Sequence, residues 1–233
     1  MKRIPGKIFL SEQRGVVESP YFRRSSTFRF GQFQAEDKEA FGLLQALNEE
    51  VVGGGRQLIL PVEEPIYVLV LPLTGTVNVA VASSAVPVEV GELLFSPVAA
   101  GSSLVFSNPY PTETIHFLQL WIRAALPEVS GPGRSFPFDL AGQVNTLVNV
   151  LPAIPSLPLP FNVSLGQFAG RSEAVSRMQS PQARFFAFVL AGAFEVEGRL
   201  LHQNDGLALW DTAEVELEAL SHDAVVLILE MPA

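Results

Sequence analysis

The sequence predicts an all-β protein made of two similar β-barrels joined by a proline-rich linker, and three observations support this prediction. Short runs of β-branched and aromatic residues alternate with Gly, Pro, Asn and Ser, at the spacing of about ten residues that is typical of antiparallel barrels. The second half of the chain repeats the pattern of the first half. Between the halves, prolines are too dense for a helix or a central strand.

Composition limits the function. The 233 residues are 48% hydrophobic and 17% charged, so the chain is globular rather than disordered. The net charge of −9 argues against a nucleic-acid partner, because phosphate binding needs clustered Lys and Arg. The small basic group of Arg23, Arg24 and Arg29 is interpreted as a solvated turn.

The cellular compartment is predicted from cysteine content and apolar runs. The absence of cysteine excludes disulfides, thiolate metal sites and a Cys nucleophile. The apolar stretch behind the basic N-terminal residues is only 8–10, which is too short for a signal peptide. Since no run of about twenty apolar residues is present either, we expect a cytoplasmic protein without a membrane partner.

The first barrel is predicted around residues 53–121. Residues 25–31 alternate with period two, as in a strand. The three glycines at 53–55 are interpreted as a tight turn rather than a phosphate loop, because no P-loop Lys-Ser/Thr follows them. The remaining strand signals lie in residues 58–79, 91–97, 101–108 and 116–121.

Proline clusters at 131–137 and 151–160 set the predicted domain boundaries. We expect an N-terminal barrel over residues 1–126, a linker over 127–160 and a C-terminal barrel over 161–233. In the C-terminal barrel, residues 189–196 repeat the pattern of residues 71–79, a strand that enters a glycine turn and leaves as another strand. The remaining strand signals lie in residues 161–168, 183–192, 207–210, 215–220 and 224–230.

Several motifs resemble those of the pirin-related bicupins. They are Gly75-Thr-Val, Pro97-x-x-x-Gly101, His116-x-x-Gln119-x-Trp121 and, most specifically, Asp205-Gly-Leu-Ala-Leu-Trp-Asp211. The resemblance covers nearly the whole chain and implies two tandem jelly-roll barrels of the cupin type. Several members of that family are metal-dependent quercetin 2,3-dioxygenases, and one branch is a nuclear transcription cofactor.

In that family the N-terminal barrel holds a metal ion through a His-x-His pair and a His-x-Glu pair. Carried over to this chain, the first pair falls on Pro61 and Glu63, and the second on Leu104 and Phe106. Proline, leucine and phenylalanine side chains offer no metal donor, and one carboxylate does not hold a catalytic transition metal. The resemblance therefore predicts a former metal site, with no cofactor expected.

The three histidines do not rebuild a metal site. His116 lies on a strand that turns Gln119 and Trp121 to the opposite face, and it is interpreted as a hydrogen-bonded barrel histidine. His202 and His222 are interpreted as exposed turn residues, about twenty residues apart. We therefore expect the C-terminal barrel to be structural, with the N-terminal residues packed against it.

Apolar residues at the former ligand positions are expected to fill the old cavity, or to leave an apolar pocket for a small aromatic ligand. Candidates for its wall are Tyr67, Phe95, His116 and Trp121. The main prediction is therefore a non-catalytic small-molecule-binding, regulatory or scaffold protein. The alternative is a dioxygenase with non-standard ligands or with metal in the second barrel.

A metal-free acid–base enzyme is a further alternative. Glu63 and Glu64 form an acidic pair near the predicted barrel mouth, and two neighbouring carboxylates can supply a base with a raised pKa. Because adjacent strand residues point to opposite faces, at most one of the two is expected to face the cavity. Glu63 is the weak catalytic candidate, with a rim carboxylate as the competing interpretation.

Overall fold

The computed structural model describes residues 4–81, 84–124, 133–154 and 157–233. The chain divides into two compact units, an N-terminal unit of Arg14–Phe138 and a C-terminal unit of Met1–Gln13 with Asp139–Ala233. The segment predicted as linker contributes one strand to each unit within its described residues.

Almost all regular structure is β-strand, as predicted, with short 3₁₀ turns at Ser11–Gln13 and Ala141–Gln143. The strands, in chain order, are β1 (Gly6–Phe9), β2 (Gly15–Ser19), β3 (Phe22–Ser26), β4 (Leu44–Val52), β5 (Gln57–Pro61), β6 (Ile66–Thr74), β7 (Val77–Val81), β8 (Ser84–Val88), β9 (Glu92–Val98), β10 (Ser103–Ser107), β11 (Ile115–Arg123), β12 (Arg134–Pro137), β13 (Val148–Asn149), β14 (Asn162–Phe168), β15 (Glu173–Arg177), β16 (Arg184–Ala191), β17 (Ala193–Val196), β18 (Arg199–His202), β19 (Gly206–Leu209), β20 (Glu214–Ala219) and β21 (Ala224–Met231).

The two units share one strand topology. The N-terminal unit has a seven-stranded sheet, β12-β9-β6-β11-β4-β3-β2, and a four-stranded sheet, β5-β10-β7-β8. The C-terminal unit has a six-stranded sheet, β1-β19-β16-β21-β14-β13, and a four-stranded sheet, β15-β20-β17-β18. The order β9-β6-β11-β4 in one unit matches β19-β16-β21-β14 in the other, so the internal repeat predicted from sequence is present in the fold.

Alternation along the strands places the core of the N-terminal unit between its two sheets. On β6, Ile66, Val68 and Val70 belong to this core. On β11, Phe117 and Trp121 belong to it as well, which is the face predicted for Trp121. Successive side chains of a strand point to opposite faces. The residues of β6 and β11 between those that face the core therefore lie on the outer face of the sheet.

Glycine turns connect equivalent strands of the two units. Gly75 joins β6 to β7 with φ +71°, and Gly192 joins β16 to β17 with φ +75°. Residues with a Cβ rarely adopt this conformation, so glycine at both positions explains the repeated sequence pattern. The glycines at 53–55 form a turn between β4 and β5, as predicted, and the Gly55 N–H donates to the Tyr110 carbonyl at 2.7 Å.

The N-terminal residues pack on the C-terminal unit, as expected. Gly6 pairs with Leu209 and Phe9 pairs with Gly206, so β1 forms one edge of the six-stranded sheet. The Ser11 N–H also donates to Asp205 Oδ1 at 2.7 Å. In the part of the chain that the structure describes, no helix has the length and apolar character needed to cross a membrane.

Candidate functional site

A cavity of about 560 Å³ opens at one end of the N-terminal unit, where β4 and β6 begin and β5 and β11 end. Its apolar wall includes Phe30, Leu60, Ile66 and Trp121. The Phe30 and Trp121 rings meet edge to face, with centroids 5.1 Å apart and planes at 87°. This is a favourable aromatic geometry, and it gives the cavity a wall suited to a flat apolar ligand.

Arg24 supplies a buried positive charge at this wall. It lies on β3, lines the cavity and is only 9% exposed. Its guanidinium carbon lies 4.8 Å from the centroid of the Phe30 ring and 5.3 Å from that of Phe22. Such cation–π contacts hold the guanidinium in place while leaving its edges free for hydrogen bonds.

The interpretation of Arg23, Arg24 and Arg29 as a solvated turn is wrong for Arg24. Arg23 is exposed and Arg29 donates from Nε to the Ala35 carbonyl at 2.6 Å. Arg24 instead points to the inner face of β3, opposite Glu50 on β4. The period-two pattern of residues 22–26 would have separated Arg24 from Arg23, because neighbouring strand residues face opposite ways.

A chain of hydrogen bonds runs behind the cavity wall. Arg24 Nε donates to Glu50 Oε1 at 2.6 Å, and Gln119 Nε2 donates to the same oxygen at 2.6 Å. Trp121 Nε1 donates to Gln119 Oε1 at 2.7 Å. The two ends of this chain, Arg24 and Trp121, both line the cavity, whereas Glu50 and Gln119 are fully buried.

This polar cluster is incompletely satisfied. Among the described residues, Glu50 Oε2, Arg24 Nη2 and both amide atoms of Asn48 are buried without a hydrogen-bond partner. Each such atom costs free energy, and unsatisfied buried groups of native proteins are often found at functional positions. Burial raises the pKa of Glu50 to about 7, although Arg24 and Gln119 both favour its ionised form.

The opposite face of the same sheet carries a second polar cluster, centred on Glu49. Arg14 Nη1 donates to Glu49 Oε2 at 2.5 Å, and His116 Nε2 donates to Glu49 Oε1 at 2.7 Å. Burial alone would raise the pKa of Glu49, but the bonds from His116 and Arg14 outweigh it and lower the pKa to about 2. His116 is therefore hydrogen-bonded, as predicted. The neighbouring guanidinium of Arg14 disfavours a metal ion there.

The four positions predicted as former metal ligands lie in two different environments. Pro61 and Glu63 are exposed at the cavity. Leu104 and Phe106 are fully buried in the core between the sheets, where the Phe106 and Phe117 ring centroids are 5.1 Å apart. Two hydrocarbon side chains, one proline and one exposed carboxylate do not fit a transition-metal ion. Across the described ranges, no group of three or more His, Asp and Glu could hold a metal.

The predicted wall residues are not all brought together. Trp121 lines the cavity. Tyr67 and Phe95 stack on each other, with centroids 5.5 Å apart, on the face of β6 and β9 that is turned away from the core between the sheets. His116 lies on the Glu49 side of its own sheet.

The expectation that at most one of Glu63 and Glu64 faces the cavity is wrong. Both line it. The reason is that β5 ends at Pro61 and β6 begins at Ile66, so the two glutamates lie in a loop where strand alternation does not apply. Glu64 also accepts from Gln45 Nε2 at 3.3 Å, which fixes it at the rim.

The two C-terminal histidines are exposed, as predicted, but only His222 lies in a turn. His202 is the last residue of β18, and His222 lies in the turn before β21. The Gly170 N–H contacts His222 Nδ1 at 3.4 Å. Neither residue belongs to a metal-binding group within the described part of the chain.

Sequence reasoning missed Glu50, Asn48 and Gln119 as members of one buried cluster. The available signal was alternation on β4, where Ala46 and Val52 belong to the apolar core and Asn48 and Glu50 stand between them on the same face. Polar residues at core positions are expensive unless they serve a purpose. The burial of residues 48–50 was not predicted from the sequence.

Known proteins that are similar in sequence support the cupin fold described above. Residues 161–231 match the family model described as "Quercetinase C-terminal cupin domain". Over 229 residues the chain is 25% identical to the "Quercetin 2,3-dioxygenase" of Escherichia coli (strain K12), which covers 95% of this chain and 96% of that protein.

Two solved structures from Escherichia coli are similar over nearly their whole length. YhhW superimposes with a TM-score of 0.88 at 22% identity, covering 98% of each chain. Bacterial pirin YhhW in complex with nickel(II) gives a TM-score of 0.85 at 21% identity, covering 98% of this chain and 99% of the other. At these identities, the likeness to the solved structures shows a shared fold.

Two units of equivalent topology, each with two antiparallel sheets around a core, define an all-β protein of the bicupin class. The C-terminal family match and the full-length relatives both point to one family within that class. The chain is similar to the pirin-related bicupins.

Proposed function

We propose that the N-terminal cupin of this protein binds a small planar aromatic ligand without a metal ion, and that the protein does not catalyse dioxygenation. The observation that carries this proposal is the burial of Leu104 and Phe106 at the positions of the second ligand pair. Their side chains occupy the core and cannot donate electrons to a metal. Binding without turnover is consistent with a regulatory or scaffold role.

The cavity supports the ligand part of the proposal. Its volume of about 560 Å³ lies within the range of small-molecule sites, roughly 300–1,000 Å³. Phe30 and Trp121 provide aromatic contact area, and Leu60 and Ile66 complete an apolar wall. A few polar groups beside an apolar wall are what orient a ligand in such sites.

Tryptophan fluorescence tests this proposal directly. The chain has two tryptophans, so a Trp210→Phe background leaves Trp121 as the only indole. Quercetin, chosen because of the relatives' activity, is titrated in buffer that contains a metal chelator. We expect saturable quenching of Trp121 that is weakened about fivefold by Phe30→Ala, since an aromatic contact contributes about 1 kcal/mol.

Thermal melts confirm that each variant is folded before the titrations are compared. Linear quenching with no saturation, or quenching that Phe30→Ala leaves unchanged, would contradict binding in this cavity. A matched substitution away from the cavity, Val175→Ala on β15, controls for general effects of the mutation, because Val175 is half-exposed on the C-terminal unit.

The alternative function is a metal-dependent dioxygenase with non-standard ligands. It is favoured by the relatives named "Quercetin 2,3-dioxygenase", which match 95% of this chain. Elemental analysis of protein purified without chelator, followed by reloading with iron, copper, nickel, manganese or zinc, separates the two functions. Stoichiometric metal together with oxygen uptake on quercetin would overturn the metal-free proposal.

A further inference from the structure

We propose that the cavity selects aromatic carboxylates over neutral aromatic compounds, that Arg24 binds the carboxylate, and that Glu50 takes up a proton when the carboxylate binds. This inference rests on the proposed function, because it names the chemical class of the cavity ligand. Its three parts are carried by the position of Arg24, the charge balance of the cavity and the burial of Glu50.

Arg24 is placed to bind an anion. Its Nε is committed to Glu50, but its Nη2 is buried and has no partner among the described residues. Arg24 lines the cavity, and its guanidinium lies beside the Phe30 ring. A carboxylate that accepts from this guanidinium would therefore place its aromatic body against Phe30 and Trp121. A charge-assisted bond of this kind is about twice as strong as a neutral one.

The charges around the cavity favour an anion only when Glu50 is neutral. Arg24, Arg29 and Arg123 line the cavity, against Glu63 and Glu64. At the rim, Arg29 lies near Glu39 and Arg123 lies near Glu64, which leaves Arg24 as the cation of the buried wall. When Glu50 is protonated, its carboxyl group does not neutralise Arg24; when Glu50 is ionised, its carboxylate neutralises Arg24 from behind.

Arg29 and Arg123 are less suited to hold the ligand, because both already face acids at the rim. Arg29 Nη1 lies 3.5 Å from Glu39 Oε1, and Arg123 Nε lies 3.9 Å from Glu64 Oε2. Both arginines are at least a third exposed, so water screens their charges. Arg24 is the buried cation of the cavity wall.

The position of Glu50 allows it to take up a proton when a ligand carboxylate binds. Its Oε1 accepts from Arg24 and Gln119, whereas its Oε2 has no partner among the described residues. A ligand carboxylate at Arg24 adds a second negative charge beside a fully buried one. Two close carboxylates sharing one cation favour protonation of one of them, and Glu50 is the one that water cannot solvate.

The other groups near Glu50 do not replace it in this role. Asn48, on the same strand β4, and Gln119, on the neighbouring strand β11, are neutral amides. Arg14 acts on Glu50 more weakly than Arg24, and its Nη1 is bonded to Glu49 on the other face of the sheet. Within this cluster, Glu50 is therefore the group that changes charge near neutral pH.

Calorimetry with a matched pair of probes tests the proposal. 2-Naphthoate and 2-naphthalenemethanol have the same ring system and differ in charge. Each is titrated at pH 6, 7, 8 and 9, and at pH 8 in two buffers of different ionisation enthalpy. We expect at least tenfold tighter binding of naphthoate at pH 6, uptake of up to one proton at pH 8, and an affinity that falls by up to about tenfold per pH unit above pH 7.

Two variants assign the effects to residues. Glu50→Gln, which keeps the shape of the neutral acid, is expected to abolish proton uptake and the pH dependence while keeping the preference for naphthoate. Arg24→Gln is expected to remove that preference while keeping the affinity for naphthalenemethanol, which also shows that the variant is folded. Glu214→Gln and Arg177→Gln, both exposed on the C-terminal unit, are the matched controls and should leave all values unchanged.

The possible outcomes separate the two proposals. If neither probe binds, the proposed aromatic site itself is wrong. If both probes bind with equal affinity, the aromatic site stands and the selection of carboxylates is overturned. If naphthoate is preferred but no proton is taken up, or if Glu50→Gln still takes one up, the role of Glu50 is overturned.

Discussion

Glu49 and Glu50 are neighbours in the chain whose pKa values move in opposite directions. The strand turns them to opposite faces of one sheet. Glu49 accepts from both Arg14 and His116, which lower its pKa to about 2 against the effect of burial. Glu50 is fully buried, and burial raises its pKa to about 7 against the effect of Arg24. Composition alone could not distinguish them, because the difference lies in residues far away in sequence.

The raised pKa of Glu50 predicts a pH-dependent stability. Below the pKa of the unfolded chain, 4.5, Glu50 is protonated in both states and costs nothing. As the pH rises to about 7, the unfolded state ionises first and the free energy of unfolding falls, by up to about 3 kcal/mol. Urea unfolding of the wild type and of Glu50→Gln at pH 4.5 to 8 measures this loss. We expect the free energy of unfolding of the wild type to fall relative to that of the variant as the pH rises over this window. If the two free energies change equally with pH, the raised pKa of Glu50 is contradicted.

At the scale of elements, local sequence patterns predicted most strands but missed β4, whose buried polar residues depend on partners far away in sequence. Residues 91–97 and 101–108 were predicted as strands and overlap β9 and β10. β4 was not predicted, because its inner face mixes Ala46 and Val52 with Asn48 and Glu50. The partners of Glu50, Arg24 on β3 and Gln119 on β11, lie far away in sequence, so no local window contains them.

The turn between β4 and β5 shows why glycine is needed there. A Cβ on Gly54 would lie 2.5 Å from both the Pro111 carbonyl oxygen and the Thr112 nitrogen. These are backbone atoms and cannot rotate away. The glycine run therefore lets two backbone segments approach closely, in addition to making a turn.

Gly54→Ala is expected to lower the free energy of unfolding by about 1–3 kcal/mol, as overpacking does. Chemical denaturation measures the change, with Gly55→Ala as the comparison. Gly55 has φ +64° and open space around it, so alanine there costs only the backbone strain, about 1 kcal/mol. If the Gly54 variant is as stable as the wild type, the backbone at Pro111 and Thr112 can move to make room for a Cβ, and the expected overpacking is contradicted.

At the scale of the whole molecule, the sequence indicated a repeat but not where each unit obtains its last strand. β12 completes the seven-stranded sheet by pairing with β9, and β1 completes the six-stranded sheet by pairing with β19. Proline density predicted the region between the units as a connector. It could not reveal that Arg134–Pro137 would pair as an edge strand, where proline is tolerated.

The pairing of β1 can be tested by Gly6→Val. A Cβ on Gly6 would lie 2.7 Å from the Ala208 carbonyl oxygen and 2.5 Å from Leu209 Cδ2. We expect the variant to separate β1 from β19, to lower the free energy of unfolding by about 1–3 kcal/mol, and to speed hydrogen exchange at Gly206–Leu209. Val175→Ala, on another strand of the same unit, is the control. Unchanged exchange at β19 would contradict the pairing.

The same pairing has a consequence for synthesis on the ribosome. Gly6 pairs with Leu209, so β1 meets its partner only after about 200 further residues are made. At roughly 5–20 residues per second, that wait is about 10–40 s. During this time a strand of only four residues, with Lys7 inside it, offers other nascent chains little to join. Shortness and charge are the means by which exposed strands avoid aggregation.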